Sequence, residues 1–330
     1  MHQTKDIAIV ILNWNGKALL EQFLPSVINY SDDAVIYLAD NASTDDSVAF
    51  VLEYFPRIKI IQNSENSGYA KGYNDALKQV NEPLLCLVNS DIEVTKNWLQ
   101  PIVDEFNSDS NTAIIQPKIL DYNKKSYFEY AGAAGGFIDK YGYPYCRGRI
   151  FESIEEDEGQ YNDTVDIFWA SGACFFIRNS IFKSLNGFDE SYFAHMEEID
   201  LCWRVFNSQY KVKYVGASSV YHVGGATLKN TSPKKTYLNF RNSLFTLVKN
   251  TDKHVFFRTF VRMLLDGIAA LRFLFLLEIE HFLAILKAHG SFYVNLIHVL
   301  KQRNKQSKRH GYYNTTSIVW SHFIKKRAKF

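Results

Sequence analysis

Short apolar runs rich in β-branched residues alternate with helical patterns through the first ninety residues, and this alternation limits the chain to very few folds. Ile7–Leu12 is continuous and apolar, as in a strand buried on both faces. After Asn13-Trp14-Asn15-Gly16, the stretch Lys17–Tyr30 spaces Leu19, Leu20, Phe23, Leu24 and Val27 as a helix does. Val35–Ala39 reads as a second strand, and Thr44 as the N-cap of a helix running to Tyr54. Ile58–Ile61, a helix over Tyr69–Val80 and a strand at Leu84–Val88 complete the series. Strand–helix alternation of this kind predicts an α/β domain, with a mostly parallel sheet flanked by helices.

In such sheets ligands bind beyond the carboxyl ends of the strands. The polar clusters Asn13–Gly16, Asp40–Asp45, Asn63–Gly68 and Asn89–Asp91 all fall at those ends. Asp40 is placed to accept from a base N–H or a ribose hydroxyl, or else it closes a turn on itself. Gly68 opens a helix whose free N–H groups favour phosphate, with Lys71 in the first turn as a compensating charge. Neither this loop nor the first strand–helix turn has the GxGxxG spacing, and no P-loop is present, which disfavours dinucleotide and P-loop folds.

Leu84–Val88 delivers Asn89-Ser90-Asp91 at its end. A carboxylate so placed suits Mg²⁺ or Mn²⁺ held against a diphosphate; the alternative is that Asp91 caps a helix beginning near Thr95. Glu197, Glu198 and Asp200 crowd the start of a helix running to about Ser208. Like charges there raise one pKa into the range of a general base, whereas Asp200 and Arg204 at i,i+4 read as a structural pair. His222 follows a strand and precedes Gly224-Gly225, a setting that suits a metal ligand or a structural imidazole.

The order of these pieces resembles glycosyltransferase family 2, in its rhamnosyltransferase-like branch. The likeness is carried by Asn13–Gly16, Asp40–Asp45, Asn66–Asn74, Val88–Asp91, Ser171-Gly172-Ala173, Gly187–Glu190, Glu197–Arg204 and His222–Gly225. It implies a GT-A-type (Rossmann-like) fold over residues 1–230, with a nucleotide-sugar half (1–120) and an acceptor and catalytic half (121–230). It also implies inverting, metal-dependent transfer from a UDP- or dTDP-linked sugar to a glycan or polyprenyl-linked acceptor. By that analogy Asn13, Asn15, Asp40, Asn66, Gly68, Lys71, Asn74 and Asn89 bind the donor, and Asp91 and His222 hold Mg²⁺ or Mn²⁺. Glu198 is the general base, with Glu197 as the other candidate. Two departures stand out: Asn89 replaces the first Asp of a DxD motif, and Glu198 replaces an Asp, which leaves room for a catalytically silent donor-binding scaffold.

The C-terminal part is expected as an appendage, with amphipathic helices over 231–300 and a basic tail over 301–330. Arg258, Arg262 and Asp266 recur every four positions in an otherwise apolar stretch. From Lys301 onward there are nine Lys or Arg and no acid, against a net −7 for the rest of the chain. No 18-residue window is free of charge, so the expectation is helices lying on an anionic membrane surface, with packing on the catalytic domain or on a second copy as the other reading. Nucleic acid is not expected as a partner. Four scattered cysteines read as core residues of a cytoplasmic protein at the inner membrane face, and no signal peptide is visible at the start.

Overall fold

The computed structural model describes residues 1–31, 33–224, 232–303 and 307–330. Chain order runs β1 (Ile7–Asn13), α1 (Lys17–Tyr30), β2 (Val35–Asp40), α2 (Ser47–Tyr54), β3 (Lys59–Gln62), α3 (Gly68–Leu77), β4 (Leu84–Asn89), β5 (Ile92–Val94), α4 (Gln100–Ser108) and β6 (Thr112–Asp121). A small antiparallel sheet follows, of β7 (Gly136–Ile138), β8 (Pro144–Cys146), β9 (Arg149–Ile150) and β10 (Ser153–Ile154). Then come β11 (Thr164–Ile167), β12 (Cys174–Arg178), α5 (Asn179–Ser184), α6 (Glu197–Asn207) and β13 (Lys211–His222). The chain finishes in helices α7 (Pro233–Asn250), α8 (Val255–Phe275), α9 (Ile279–Arg303) and α10 (Ile318–Phe323).

The main sheet has the order β11-β13-β6-β12-β4-β1-β2-β3, with β5 pairing on β13. The four strands β4-β1-β2-β3 are parallel, as the alternation predicts. The other half is mixed. β12 inserts antiparallel between β4 and β6, so the parallel reading holds for the first four strands and for β6 with β13 only. Both faces of β1 are buried: Ala8 and Val10 enter one core with Tyr73, Leu87 and Trp203, while Ile7, Ile9 and Ile11 enter the other with Leu20 and Val88. Two covered faces explain why the run carries no alternation.

Several boundaries move. Asp46, not Thr44, precedes α2; the Thr44 N–H is instead taken by the Asn15 carbonyl at 2.7 Å. The apolar run Phe168–Ile177 reads as one strand, but β12 begins only at Cys174, because Trp169 bridges Gly136 and the Ser171 N–H goes to Gln116. Asp91 caps no helix; β5 follows it and α4 starts at Gln100. All four cysteines are buried and free.

The stretches 1–230, 231–300 and 301–330 share one core. Leu244, Leu247, Phe292, Val299 and Tyr312 pack in the same cluster as Tyr73 and Leu87, and the Tyr312 and Trp203 ring centroids lie 4.5 Å apart. The polar stripe of α8 is turned inward. Arg262 donates to Asp266 (2.8 Å) and to the Gly142 carbonyl (2.9 Å), and Tyr143 donates to Asp266 (2.7 Å).

Candidate active site

The ends of β1, β2 and β3 form a closed polar network. Asp40 is buried, and its oxygens accept from Asn13 (2.9 Å), Gln62 (2.7 Å) and both the N–H and hydroxyl of Ser43 (2.9 and 2.5 Å). Burial alone would raise this carboxyl, but the donors from Ser43, Gln62 and Asn13 outweigh it and hold it below its usual range. Asn15, with φ 51°, receives the Thr44 N–H. Asn66 accepts from Asn41 (3.2 Å) and from the Gly68 N–H (3.2 Å). The network therefore sets the shape of the strand-end loops.

Gly68 has φ 82°, and a Cβ there would stand 2.6 Å from the Phe193 carbonyl, so only glycine fits. That carbonyl accepts the Tyr69 N–H at 3.0 Å. The start of α3 thus grips the loop before α6 and does not present all its N–H groups outward. Two expected donor contacts turn elsewhere. Lys71 pairs with Asp75, one turn along α3. Asn74 clasps Phe188, donating to its carbonyl (2.9 Å) and accepting from its N–H (2.9 Å). Both are brought into scaffold contacts in this structure.

On the other side, Asp91 and His222, assigned together by the resemblance, lie side by side. His222 Nε2 lies 3.2 Å from Asp91 Oδ1, and Nδ1 lies 3.3 Å from Glu129 Oε1. β13 brings His222 beside β5, and the Val223 N–H donates to the Asp91 carbonyl (3.2 Å). Desolvation works against the imidazolium, but hydrogen bonds to Asp91 and Glu129 prevail and push its pKa up to about 10. Glu129 has no signal in the sequence; it sits between β6 and β7 in a stretch rich in Tyr and Gly, where no strand or helix period flags it. Gly224 has φ 72°, and a Cβ on it would stand 3.0 Å from Glu129 Oε1; Gly225 lies outside the described residues.

A carboxylate and an imidazole are a donor set for Mg²⁺ or Mn²⁺. No group of three or more His, Cys, Asp or Glu able to hold a metal occurs among the described residues. The set fits an ion whose remaining ligands come from substrate oxygens and water, and binding through His222 requires loss of its proton.

Glu197 and Glu198 open α6, the first buried and the second half-buried. Oε2 of each is buried without a hydrogen-bond partner. Burial and the neighbouring Glu198 charge push Glu197 well up. Burial also lifts Glu198, while backbone N–H groups at the helix start pull it back, leaving it raised to about 7. The segment leading in is strained: Phe193, His195 and Met196 have φ of 63°, 68° and 72°. Asn242 of α7 holds it, donating to the carbonyls of Tyr192 (3.2 Å), Ala194 (3.0 Å) and His195 (2.7 Å).

Ser171-Gly172-Ala173 joins the two sides. Ser171 donates to the Ala131 carbonyl, and the Ala131 N–H donates to Glu129 (2.5 Å). Ala173 accepts the Asn89 N–H at 2.9 Å. Between them Gly172 accepts from Tyr69 Oη (2.7 Å), and a Cβ on it would sit 3.8 Å from Glu198 Cγ. The half-buried Asn89, the Asp91–His222–Glu129 set and Glu198 therefore border a common wall. Tyr69 and Glu129 are the site neighbours that the spacing did not reveal.

The model of glycosyl transferase family 2 matches residues 8–185, just over half of the chain. An N-acetylglucosaminyl-diphospho-decaprenol L-rhamnosyltransferase of Mycobacterium tuberculosis is 24% identical over 66% of this chain and 76% of its own. A low-salt glycan biosynthesis hexosyltransferase of Haloferax volcanii is 23% identical over 84% and 87%. Among solved structures, GalNAc-T7 with UDP, GalNAc and Mn²⁺ superposes with a TM-score of 0.55 at 18% identity, over 66% of this chain but only 42% of that one. Staphylococcus aureus TarS 1–349 with UDP-GlcNAc gives 0.52 at 16% identity, over 87% and 73%. These likenesses establish the GT-A-like fold, and with the family match they lead to one conclusion: the chain belongs to glycosyltransferase family 2 and is a glycosyltransferase of its rhamnosyltransferase-like branch.

Proposed function

We propose that the protein transfers a sugar, with inversion, from a nucleoside-diphosphate sugar to a hydroxyl of a glycan or polyprenyl-linked acceptor in cell-surface polysaccharide assembly. The observation that carries this reading is Glu198, a carboxylate with an unpartnered oxygen, raised to about 7 and set beside Gly172 and Tyr69. A base of that strength is half ionised near neutral pH and still basic enough to accept a hydroxyl proton.

In the proposed step the acceptor oxygen attacks the anomeric carbon as its proton passes to Glu198. The bond from that carbon to the diphosphate oxygen breaks, and its electron pair leaves with the nucleoside diphosphate. Burial and the Glu198 charge push the Glu197 carboxyl well up, which disfavours a second negative charge beside the base. Asn13, Asn15, Asp40, Asn66 and Gly68 fix the strand-end loops that receive the donor, with Asn89 at the diphosphate side. Lys71 and Asn74 act in this reading by holding α3. Asp91 and His222 would hold Mg²⁺ or Mn²⁺, which offsets diphosphate charge when bound. Within the proposed choice of a UDP- or dTDP-linked donor, UDP is supported by TarS, solved with UDP-GlcNAc, and a polyprenyl-linked acceptor by the mycobacterial relative, named as an N-acetylglucosaminyl-diphospho-decaprenol L-rhamnosyltransferase.

The test is transfer by purified protein, screening UDP- and dTDP-sugars against polyprenyl-diphosphate-linked acceptors with and without Mn²⁺. Turnover with one donor class is expected. Tight donor binding without transfer or donor hydrolysis, across both classes, would favour the silent scaffold.

A further inference from the structure

The outer helices reverse the usual order of an amphipathic surface. On α8 the charged residues Arg258, Arg262 and Asp266 are buried, while Phe256, Phe260, Leu264, Ile268, Leu271 and Phe275 are exposed at helical spacing. Within α8, Arg272 is the first exposed charged residue. On α9, Ala284, Ile285, Ala288, Phe292 and Val299 face inward, and Leu283, Leu286, Tyr293, Val294 and Ile297 face out. The turn between the two helices leaves Phe275 and Leu277 each 82% exposed, flanked by Glu278 and Glu280. Water would drive the opposite arrangement, and a contiguous apolar face of this extent marks an interaction surface.

We propose that the outer faces of α8 and α9, with the C-terminal segment, form one docking face for an anionic lipid leaflet. Charge favours lipid over a second copy. Beside the end of α8, the Arg272 guanidinium lies 5.8 Å from the Phe323 ring of α10, which exposes Trp320 and Ile324. Lys325, Lys326, Arg327 and Lys329 follow, all exposed. An apolar plane with an aromatic and basic border matches the interface of an anionic bilayer. A two-fold dimer through the same face would bring two basic segments together.

The helices lie on the leaflet. α9 is long and apolar enough to cross a membrane by length and composition, but its inner face is packed against α7 and α8. α7 carries Asn242, which holds the loop before Glu197, so a docked leaflet lies one helix away from the candidate base. The proposal rests on the glycosyl-transfer reading only for its purpose, delivery of a polyprenyl-linked acceptor at the cytoplasmic face. The docking itself is independent.

The experiment is co-sedimentation of the full chain with vesicles of phosphatidylcholine alone and of phosphatidylcholine with phosphatidylglycerol. Binding to the anionic vesicles is expected, weakening at high salt. The pair Phe256→Ser and Phe260→Ser should lower vesicle affinity by about tenfold or more, with unchanged melting temperature. Lys325→Glu with Lys326→Glu and Arg327→Glu should cost roughly a hundredfold on anionic vesicles and little on neutral ones. Absence of vesicle binding overturns the proposal, as does a stable dimer that the Phe substitutions dissociate. Transfer to a short water-soluble acceptor is measured in parallel. Vesicle binding by a chain that transfers nothing would refute the catalytic reading and leave docking standing.

Discussion

Asn242 donates its amide to the His195 carbonyl at 2.7 Å, and that single contact ties a helix remote in sequence to the entrance of α6. The same amide reaches the carbonyls of Tyr192 and Ala194, and Arg241 adds bonds to Ser191 and Tyr192. Left-handed backbone at Phe193, His195 and Met196 costs about 1–3 kcal/mol per residue and needs such restraint. Asn242→Ala should therefore lower kcat by roughly tenfold to a hundredfold with little change in donor KM, since a shift of about 1 Å in a base is costly. Steady-state kinetics check this. Equal loss in kcat and donor affinity would instead point to general unfolding of the site.

With Glu198 as the proposed base, it would set the pH profile. Its pKa is raised to about 7, so the ionised form needed to accept a proton disappears as pH falls through that value. The expected kcat rises about tenfold per unit below pH 7 and levels above it. Glu198→Gln should remove roughly 10²–10⁴ in kcat and flatten the profile, while donor binding by calorimetry stays unchanged. Glu197→Gln, at a carboxyl that burial and the Glu198 charge push well up, should leave the limb in place. A limb that vanishes in Glu197→Gln and persists in Glu198→Gln would exchange the two roles.

In the proposed reading the Asp91–His222–Glu129 set would divide donor affinity between metal and protein. Asp91→Ala should weaken donor binding when Mn²⁺ is present and much less in EDTA. Glu129→Gln keeps the shape and removes a charge beside His222, 3.3 Å from Nδ1. It should change metal affinity by roughly tenfold, the usual scale for a residue behind a ligand. Calorimetric titration of a nucleoside diphosphate with and without Mn²⁺ separates the cases. An equal loss for Asp91→Ala in both buffers would remove it from the metal site.

The parts of the site that sequence reveals are those fixed by local pattern. Asp91 follows a strand whose apolar run is unmistakable, and Glu197–Arg204 carries an i,i+4 pair that the structure contains at 2.8 Å. Glu129 and Asn242 were not legible in the same way. Each acts through backbone and side chains more than 45 positions away, and neither lies in a motif with its own spacing. Lys71 and Asn74 lie in a clear motif, but their contacts with Asp75 and Phe188 depend on the packing of α3, which the motif does not show. The inward turn of Arg258, Arg262 and Asp266 was visible as a stripe, but its direction depends on Tyr143, Gly142 and Asp252, which periodicity does not place.

Lys249 should be the costliest single truncation outside the site. Its ammonium is buried between Asp189 (2.6 Å) and Asp200 (2.9 Å), and Asp200 also binds Arg204 and Asn250. Lys249→Ala strands two buried carboxylates with one guanidinium, a loss of about 3–5 kcal/mol. Burial works against the Asp189 carboxylate, but the Lys249 charge prevails and holds its pKa down to about 2. A depressed carboxyl contributes stability that is present above its unfolded pKa and lost as pH falls toward the folded one. Wild-type stability should therefore drop between about pH 4 and pH 2. Lys249→Ala should lose most of that acid dependence along with its stability at neutral pH. Urea unfolding at pH 7 and pH 3 checks both. A variant as stable as wild type at pH 7 would show that α7 is joined to α6 by its apolar face alone.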